Sequence, residues 1–333
     1  MKKAILICLG LLLIWALLYK TVEKGESPDM QKSQIVFATY AQDKEDLHWA
    51  LVMFESVRSF AGNFKDSPLW LYLVDATPEI ETLVAVRQSA LGYVVKKCPT
   101  PIEARSFFFY GKVFASAMAE GEAAGRFKFL AWLDPDVVFV GQPDAFILPE
   151  NVSLGCRPVM HQLIGSSYDQ PPDEFWSRLY QKLDVPDSAI FPVVTPIDEA
   201  RIRAYFNAGM LIVRPERGIL QGWPEAFAQV YSDSVFAEWT KSDRLKAIFL
   251  HQAALAGNIL ANLTRAKIFE LPPTYNYPLN LADKYPAARK PLSLDSLVMF
   301  RHDGVFATAE QLARVDDGSK ILTWLKARLP ENE

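Results

Sequence analysis

Several common protein classes are excluded by what this 333-residue chain lacks. It has only three cysteines, Cys8, Cys98 and Cys156, at no metal-site spacing, which argues against a cysteine zinc site or a disulfide scaffold. Cys98 and Cys156 sit in or near apolar runs and read as buried free thiols, with one disulfide open to them if the body is exported. The formal charge is only -4 and no block of five Lys or Arg occurs, so no nucleic-acid partner is expected. No G-x-G-x-x-G follows the first predicted strand and no G-x-x-x-x-G-K-[ST] is present, which argues against a dinucleotide-binding dehydrogenase and a P-loop enzyme. Internal repeats and low-complexity segments are also missing.

What remains is an ordinary globular balance, half hydrophobic and 12% aromatic. Residues 4–19 stand apart. They carry no charge, are rich in Leu and Ile, and lie between Lys2-Lys3 and Lys20. As a helix they would span roughly 24 Å, short of a hydrocarbon core of about 30 Å that flanking lysines can make up by snorkelling. A signal peptide shares these features. No small-x-small pair follows the run, so residues 1–20 read as an uncleaved signal anchor in preference to a cleaved signal peptide. Residues 21–33 are a polar linker. The expectation is a single-pass membrane protein, and the balanced lysines leave the side of the body open.

Over residues 34–133 the pattern alternates. Strands are predicted at 34–40, 70–74, 93–97 and 128–133, and helices at 43–60, 78–91 and 106–122. Such alternation implies an α/β fold with a mostly parallel sheet flanked by helices. Beyond residue 140 the pattern loosens. Further elements are expected at 156–160, 171–183, 205–215, 234–260 and 268–271, all within one domain spanning 34–330.

The central feature is residues 127–140, an apolar run broken by Asp134 and Asp136. In an extended chain, residues i and i+2 point the same way, so the two carboxylates can converge. Pro135 between them suits a strand end or bend. Buried carboxylates must be paired or bind a metal, and hard cations such as Mg²⁺ or Mn²⁺ take one or two carboxylates plus substrate phosphates. A solvated Asp-Pro-Asp turn is the alternative. Residues 205–215 form a second interrupted strand, in which Asn207-Ala208-Gly209 breaks the run. Glycine there marks a close approach by a ligand or another backbone.

Leu133-Asp134-Pro135-Asp136-Val137-Val138, Phe206-Asn207-Ala208-Gly209-Met210-Leu211-Ile212, His251-Gln252, Leu271-Pro272-Pro273-Thr274-Tyr275-Asn276-Tyr277 and His302-Asp303-Gly304 occur in that order. Together they resemble the GT-A-fold, metal-dependent glycosyltransferases. The match is to the family 8 group that includes glycogenin and bacterial lipo-oligosaccharide galactosyltransferases. The resemblance implies that Asp134, Asp136 and His302 hold Mn²⁺ or Mg²⁺ against the diphosphate of a nucleotide-sugar. It also places Asn207 and Gly209 beside the donor sugar and Gln252 beside the anomeric carbon. Thr39 and Tyr40, at the end of the first strand, would meet the nucleoside, and Arg105 or Lys112 would reach the base or phosphates. The implied activity is hexosyl transfer, with retained configuration, to a glycan or lipid-linked acceptor. Two departures stand out. His251 and Ala253 occupy positions where the family carries carboxylates, and the lysine that grips the diphosphate is missing after Gly304. A degenerate, non-catalytic binding module is the alternative those departures allow.

Overall fold

The computed structural model describes residues 34–304, 313–316 and 318–329. The expected anchor (1–20) and linker (21–33) lie outside the described residues. Among the described residues no helix is long and apolar enough to cross a membrane.

Strand β1 (Ile35–Ala41) is buried along its whole length. Alternate side chains leave a strand on opposite faces. Ile35, Phe37 and Ala41 therefore enter one core, and Val36, Ala38 and Tyr40 the other. Helix α1 (Lys44–Phe60) starts at Asp43, whose carboxylate accepts the Asp46 amide at 2.8 Å. Its apolar stripe, including Leu47, Leu51, Phe54 and Val57, packs on the first of these faces. Then come β2 (Leu69–Val74), α2 (Pro78–Leu91), β3 (Tyr93–Cys98), α3 (Tyr110–Ala123) and β4 (Phe129–Leu133). Helix α2 has Pro78 in its first turn and ends at Gly92, whose φ of 62° is the left-handed cap that glycine adopts without a Cβ clash.

The rest of the chain adds β5 (Val137–Phe139), β6 (Leu154–Cys156), α4 (Glu174–Lys182), β7 (Pro192–Val194), β8 (Arg201–Arg203), β9 (Met210–Val213), α5 (Trp223–Tyr231), α6 (Ser234–Ser242), α7 (Arg244–Asn262), β10 (Ile268–Glu270), β11 (Tyr277–Pro278), β12 (Met299–Arg301) and α8 (Lys320–Lys326). Seven strands form the main sheet in the order β10-β6-β9-β4-β1-β2-β3, and β11-β12-β5 form a small second sheet. The pairs β1/β2, β2/β3, β1/β4 and β6/β10 are parallel, whereas β9 runs antiparallel to both β4 and β6. Helices α3, α5 and α7 contribute to the core on the face opposite α1. The mostly parallel α/β sheet expected from the sequence is thus present.

Local differences have local causes. Helix α3 starts at Tyr110 rather than 106, because a short 3-10 turn at Ile102–Ala104 and a left-handed Phe109 come first. The span 184–196, for which no element is expected, contains β7, which pairs antiparallel with β8. Helix α5 went unread, although Pro224 in its first turn suits a helix start. Cys98 and Cys156 are free and buried in β3 and β6, and burial pushes both thiols up.

Candidate active site

Ligands in open α/β sheets bind outside the carboxyl ends of the strands. Here β1 ends beside Tyr40 and β4 ends at Leu133, immediately before Asp134. Because β9 is antiparallel, its beginning lies at this same edge. Leu133 pairs with Met210, and the Asp134 amide donates to the Gly209 carbonyl at 2.8 Å. Two distant interrupted strands are thereby joined at their interruptions. The small sheet supplies the third side, since Arg301 of β12 pairs with Val137 of β5. There the His302 amide donates to the Asp136 carbonyl, and the Asp303 amide to Asp136 Oδ2, both at 3.1 Å.

The result is a cleft of about 840 Å³. Its walls include eight of the residues singled out in the sequence: Tyr40, Lys112, Asp134, Asp136, Asn207, Gly209, Gln252 and His302. Thr39 and Arg105 are not among them. Strand alternation turns Thr39 away from Tyr40, and it is fully buried in β1. Arg105 instead donates to Asp75 Oδ1 at 2.8 Å and to the Thr100 carbonyl at 3.0 Å, an ion pair at the end of β2.

Lys112 on α3 places Nζ 2.5 Å from Asp134 Oδ2, with the two side chains 6% and 14% exposed. Burial raises the Asp134 carboxyl and Lys112 opposes that rise; Asp136 is raised by burial and by Asp134. The other oxygen, Asp134 Oδ1, is buried and accepts no hydrogen bond among the described residues. His302 packs against Trp49 with ring centroids 4.0 Å apart, and burial pushes its imidazole down to about 3. It is therefore neutral at physiological pH, the form that ligates metals. Among the described residues no three His, Cys, Asp or Glu side chains form a preassembled metal cage. A hard cation held by two carboxylates and a substrate's phosphates needs no such cage. The unengaged carboxylate oxygen beside Asp136 fits that arrangement.

Asn207 and Gln252 are engaged locally as well as facing the cleft. Asn207 Oδ1 accepts from the Gly209 amide and from Asn276 Nδ2, each at 2.9 Å. Gln252 Oε1 accepts the Ala208 amide at 3.2 Å. Each side-chain carbonyl is thus held by the protein, which orients the amide NH₂. Asn276 belongs to the Leu271-Pro272-Pro273-Thr274-Tyr275-Asn276-Tyr277 stretch. It is completely buried, and its Nδ2 holds the Asn207 side chain in place. Asp46, Trp49 and Asp303 also line the cleft, and burial pushes Asp46 up to about 7 and Asp303 to about 6. An acid interrupting the polar edge of an amphipathic helix gave no sequence signal for Asp46.

Gly209 has a steric duty. A Cβ built there would lie 2.7 Å from Asp134 Oδ2 and 3.1 Å from Asn207 Oδ1. Asp134 is pinned by Lys112 and has little room to yield. Gly209→Ala is expected to lower turnover by about 100-fold through displacement of that carboxylate, and to lower the melting temperature as well because the Lys112 ion pair is disturbed. Initial rates and a thermal melt would check it.

His251 lines the cleft beside Gln252. Its Nδ1 lies 2.9 Å from the Ile248 carbonyl, which can only accept. The proton must therefore sit on Nδ1, leaving Nε2 as an acceptor. Burial, with the nearby Lys112 charge, holds the imidazole well below its ordinary range. Nitrogen-15 NMR should show an Nδ1–H tautomer that does not titrate between about pH 5 and 8; a protonation step near 6.5 would contradict it.

A family model, the Rhodobacterales glycosyltransferase domain, matches residues 38–260, well over half of the chain. The chain belongs to that family. It is an enzyme of the transferase class, a glycosyltransferase, with a GT-A fold resembling family 8. Galactosyltransferase LgtC, solved in complex with donor and acceptor sugar analogues, is similar over 90% of this chain and 97% of its own, at 15% identity and a TM-score of 0.50. GlyE of Streptococcus pneumoniae TIGR4 (11% identity; 90% of this chain, 61% of that one; TM-score 0.47) and apo mouse xyloside xylosyltransferase 1 (13%; 81% and 97%; 0.46) are also similar. At these identities the likeness is one of fold. A search of the curated proteins finds no match.

Proposed function

We propose that this glycosyltransferase moves a hexose from a UDP-linked sugar to a glycan or lipid-linked acceptor, with Mn²⁺ or Mg²⁺ held by Asp134, Asp136 and His302. The observation that carries the proposal is the buried Asp134 Oδ1, which accepts no hydrogen bond among the described residues, set beside Asp136 in the cleft at the carboxyl edge of the sheet. The bound cation would neutralise charge developing on the leaving diphosphate.

The remaining roles belong to the chain's own side chains. Lys112 supplies a fixed positive charge at the Asp134 carboxylate, where Val305-Phe306-Ala307-Thr308 carries no lysine of the kind that follows the motif glycine in the resembling family. Asn207 and Gln252 present oriented amide donors to sugar hydroxyls, and Gly209 leaves the space a sugar ring requires. His251 Nε2 offers a neutral acceptor where the resembling family has a carboxylate. Tyr40, stacked on Trp132 with centroids 6.0 Å apart, forms a rigid floor at the nucleoside end. The fold likeness to an LgtC complex holding donor and acceptor analogues supports a cleft for two substrates.

Calorimetric titration with UDP and GDP, in Mn²⁺ and in EDTA, tests the proposal. UDP is expected to bind in Mn²⁺, GDP more weakly, and neither in EDTA. A folded protein that binds no nucleotide under either condition would overturn it.

A further inference from the structure

The mouth of the cleft is apolar, and part of it is held in an unusual backbone conformation. Phe109 and Leu163 have φ of 58° and 44°, in the left-handed region, yet are 42% and 50% exposed. Bulky residues rarely adopt that region, and such strain clusters at ligand sites. Both side chains line the cleft, and so does Leu245, 44% exposed in the first turn of α7.

Leu163 and Leu245 are also shared with a second cavity of about 450 Å³. The second cavity therefore adjoins the cleft across these leucines, between α4 and the start of α7. The second cavity is walled on its apolar side by Leu163, Ile164, Phe175, Trp239 and Leu245. Gln162, Asp173, Glu174 and Asp243 also line it, and all but the exposed Glu174 are engaged: Gln162 Nε2 donates to the Gly165 carbonyl at 3.1 Å, Asp173 caps α4 by accepting the Trp176 amide at 2.9 Å, and Asp243 caps α7 by accepting the Leu245 amide at 2.9 Å. Lys246 lies 3.6 Å from Asp243 and over the rings of Phe175 and Trp239. A sugar subsite requires convergent polar groups free to bond hydroxyls, whereas a hydrocarbon chain requires the exposed leucines and buried rings found here.

From this geometry we infer that the second cavity is an acceptor subsite for the hydrocarbon portion of a lipid-linked acceptor, entered across Leu163 and Leu245. The inference rests on the proposed transfer to an acceptor and narrows its class. An acceptor whose hydroxyl reaches Gln252 leaves by this mouth, and its apolar tail removes Leu163 and Leu245 from water. Specificity then lies in the tail as well as in the sugar.

The test uses the full chain in lipid nanodiscs and octyl β-D-glucoside carrying a diazirine at the end of its chain. Photolabelling is expected within residues 162–175 and 239–249. Excess octyl β-D-glucoside should compete, and methyl β-D-glucoside or maltotriose should not. Leu163→Asn keeps a residue tolerant of left-handed φ, and Leu245→Gln keeps a good helix former. Each is expected to weaken labelling there by about tenfold, the loss of one buried leucine. Labelling only elsewhere, labelling unchanged in both variants, or displacement by maltotriose would overturn the inference, the last by making the cavity a glycan site. Metal-dependent UDP binding by the same preparations reads the donor site separately. Failed labelling with UDP binding intact sinks the subsite alone, and failed UDP binding sinks the proposed donor reaction instead.

Discussion

Lys112→Met is expected to cost about 3–5 kcal/mol of folding stability at pH 8, the usual consequence of leaving one member of a buried ion pair without its partner. The pair is short and nearly dry, with Nζ 2.5 Å from Asp134 Oδ2. Lys112 is also the largest influence opposing the burial that raises the Asp134 carboxyl. Without it, the Asp134 carboxyl moves further above its unfolded value. A carboxyl raised in the folded state binds its proton more tightly there, so the folded state is favoured at low pH and loses stability as pH rises. The deficit of the variant should therefore be largest at pH 8 and shrink toward pH 5. The double variant Lys112→Met, Asp134→Asn removes both charges and should recover most of the loss, a coupling that urea unfolding at the two pH values would expose. Simple addition of the two single losses would mean that the pair contributes nothing as a pair.

The same contact shows how far the site was legible in the sequence. Asp134 and Asp136 were found because carboxylates interrupt an apolar run, and Asn207–Gly209 because polar and small residues interrupt another. Both interruptions sit at one edge of the sheet because β9 is antiparallel to β4, and single-strand periodicity carries no information about strand direction. Lys112 and Arg105 look alike in sequence. Only the fold separates them: Lys112 lies on α3 facing Asp134, whereas Arg105 is drawn into an ion pair with Asp75. Thr39 lies away from the cleft, which the sequence hides for a simpler reason. A fully buried strand shows no polar alternation, so nothing in the run of β1 told which of Thr39 and Tyr40 faces the cleft. Asn276 and the apolar mouth were silent because their roles arise from contacts with residues far away in the chain, such as Asn207, 69 positions earlier. The fold itself was easier, since its strands and amphipathic helices repeat at fixed periods.

Asp136 provides the sharpest separation of chemistry from structure. Its backbone carbonyl accepts the His302 amide and its Oδ2 accepts the Asp303 amide. Asp136→Ala keeps the first bond and loses the second, which costs on the order of 1 kcal/mol. It also removes a buried charge that Asp134 repels, which offsets part of that cost. The net change in stability should stay within about 1 kcal/mol. Turnover is expected to fall by about 1,000-fold or more, the scale seen when a group that stabilises developing charge is removed, and metal-dependent UDP binding should vanish with it. Asp136→Asn sharpens the argument, because an amide oxygen can still accept from Asp303 while its charge is gone. If the carboxylate acts through charge, both variants lose turnover and the Asn form melts with the wild type. Full turnover in Asp136→Asn would show that Asp136 serves only to tie β5 and β12 together, and the donor site would have to be sought elsewhere in the cleft.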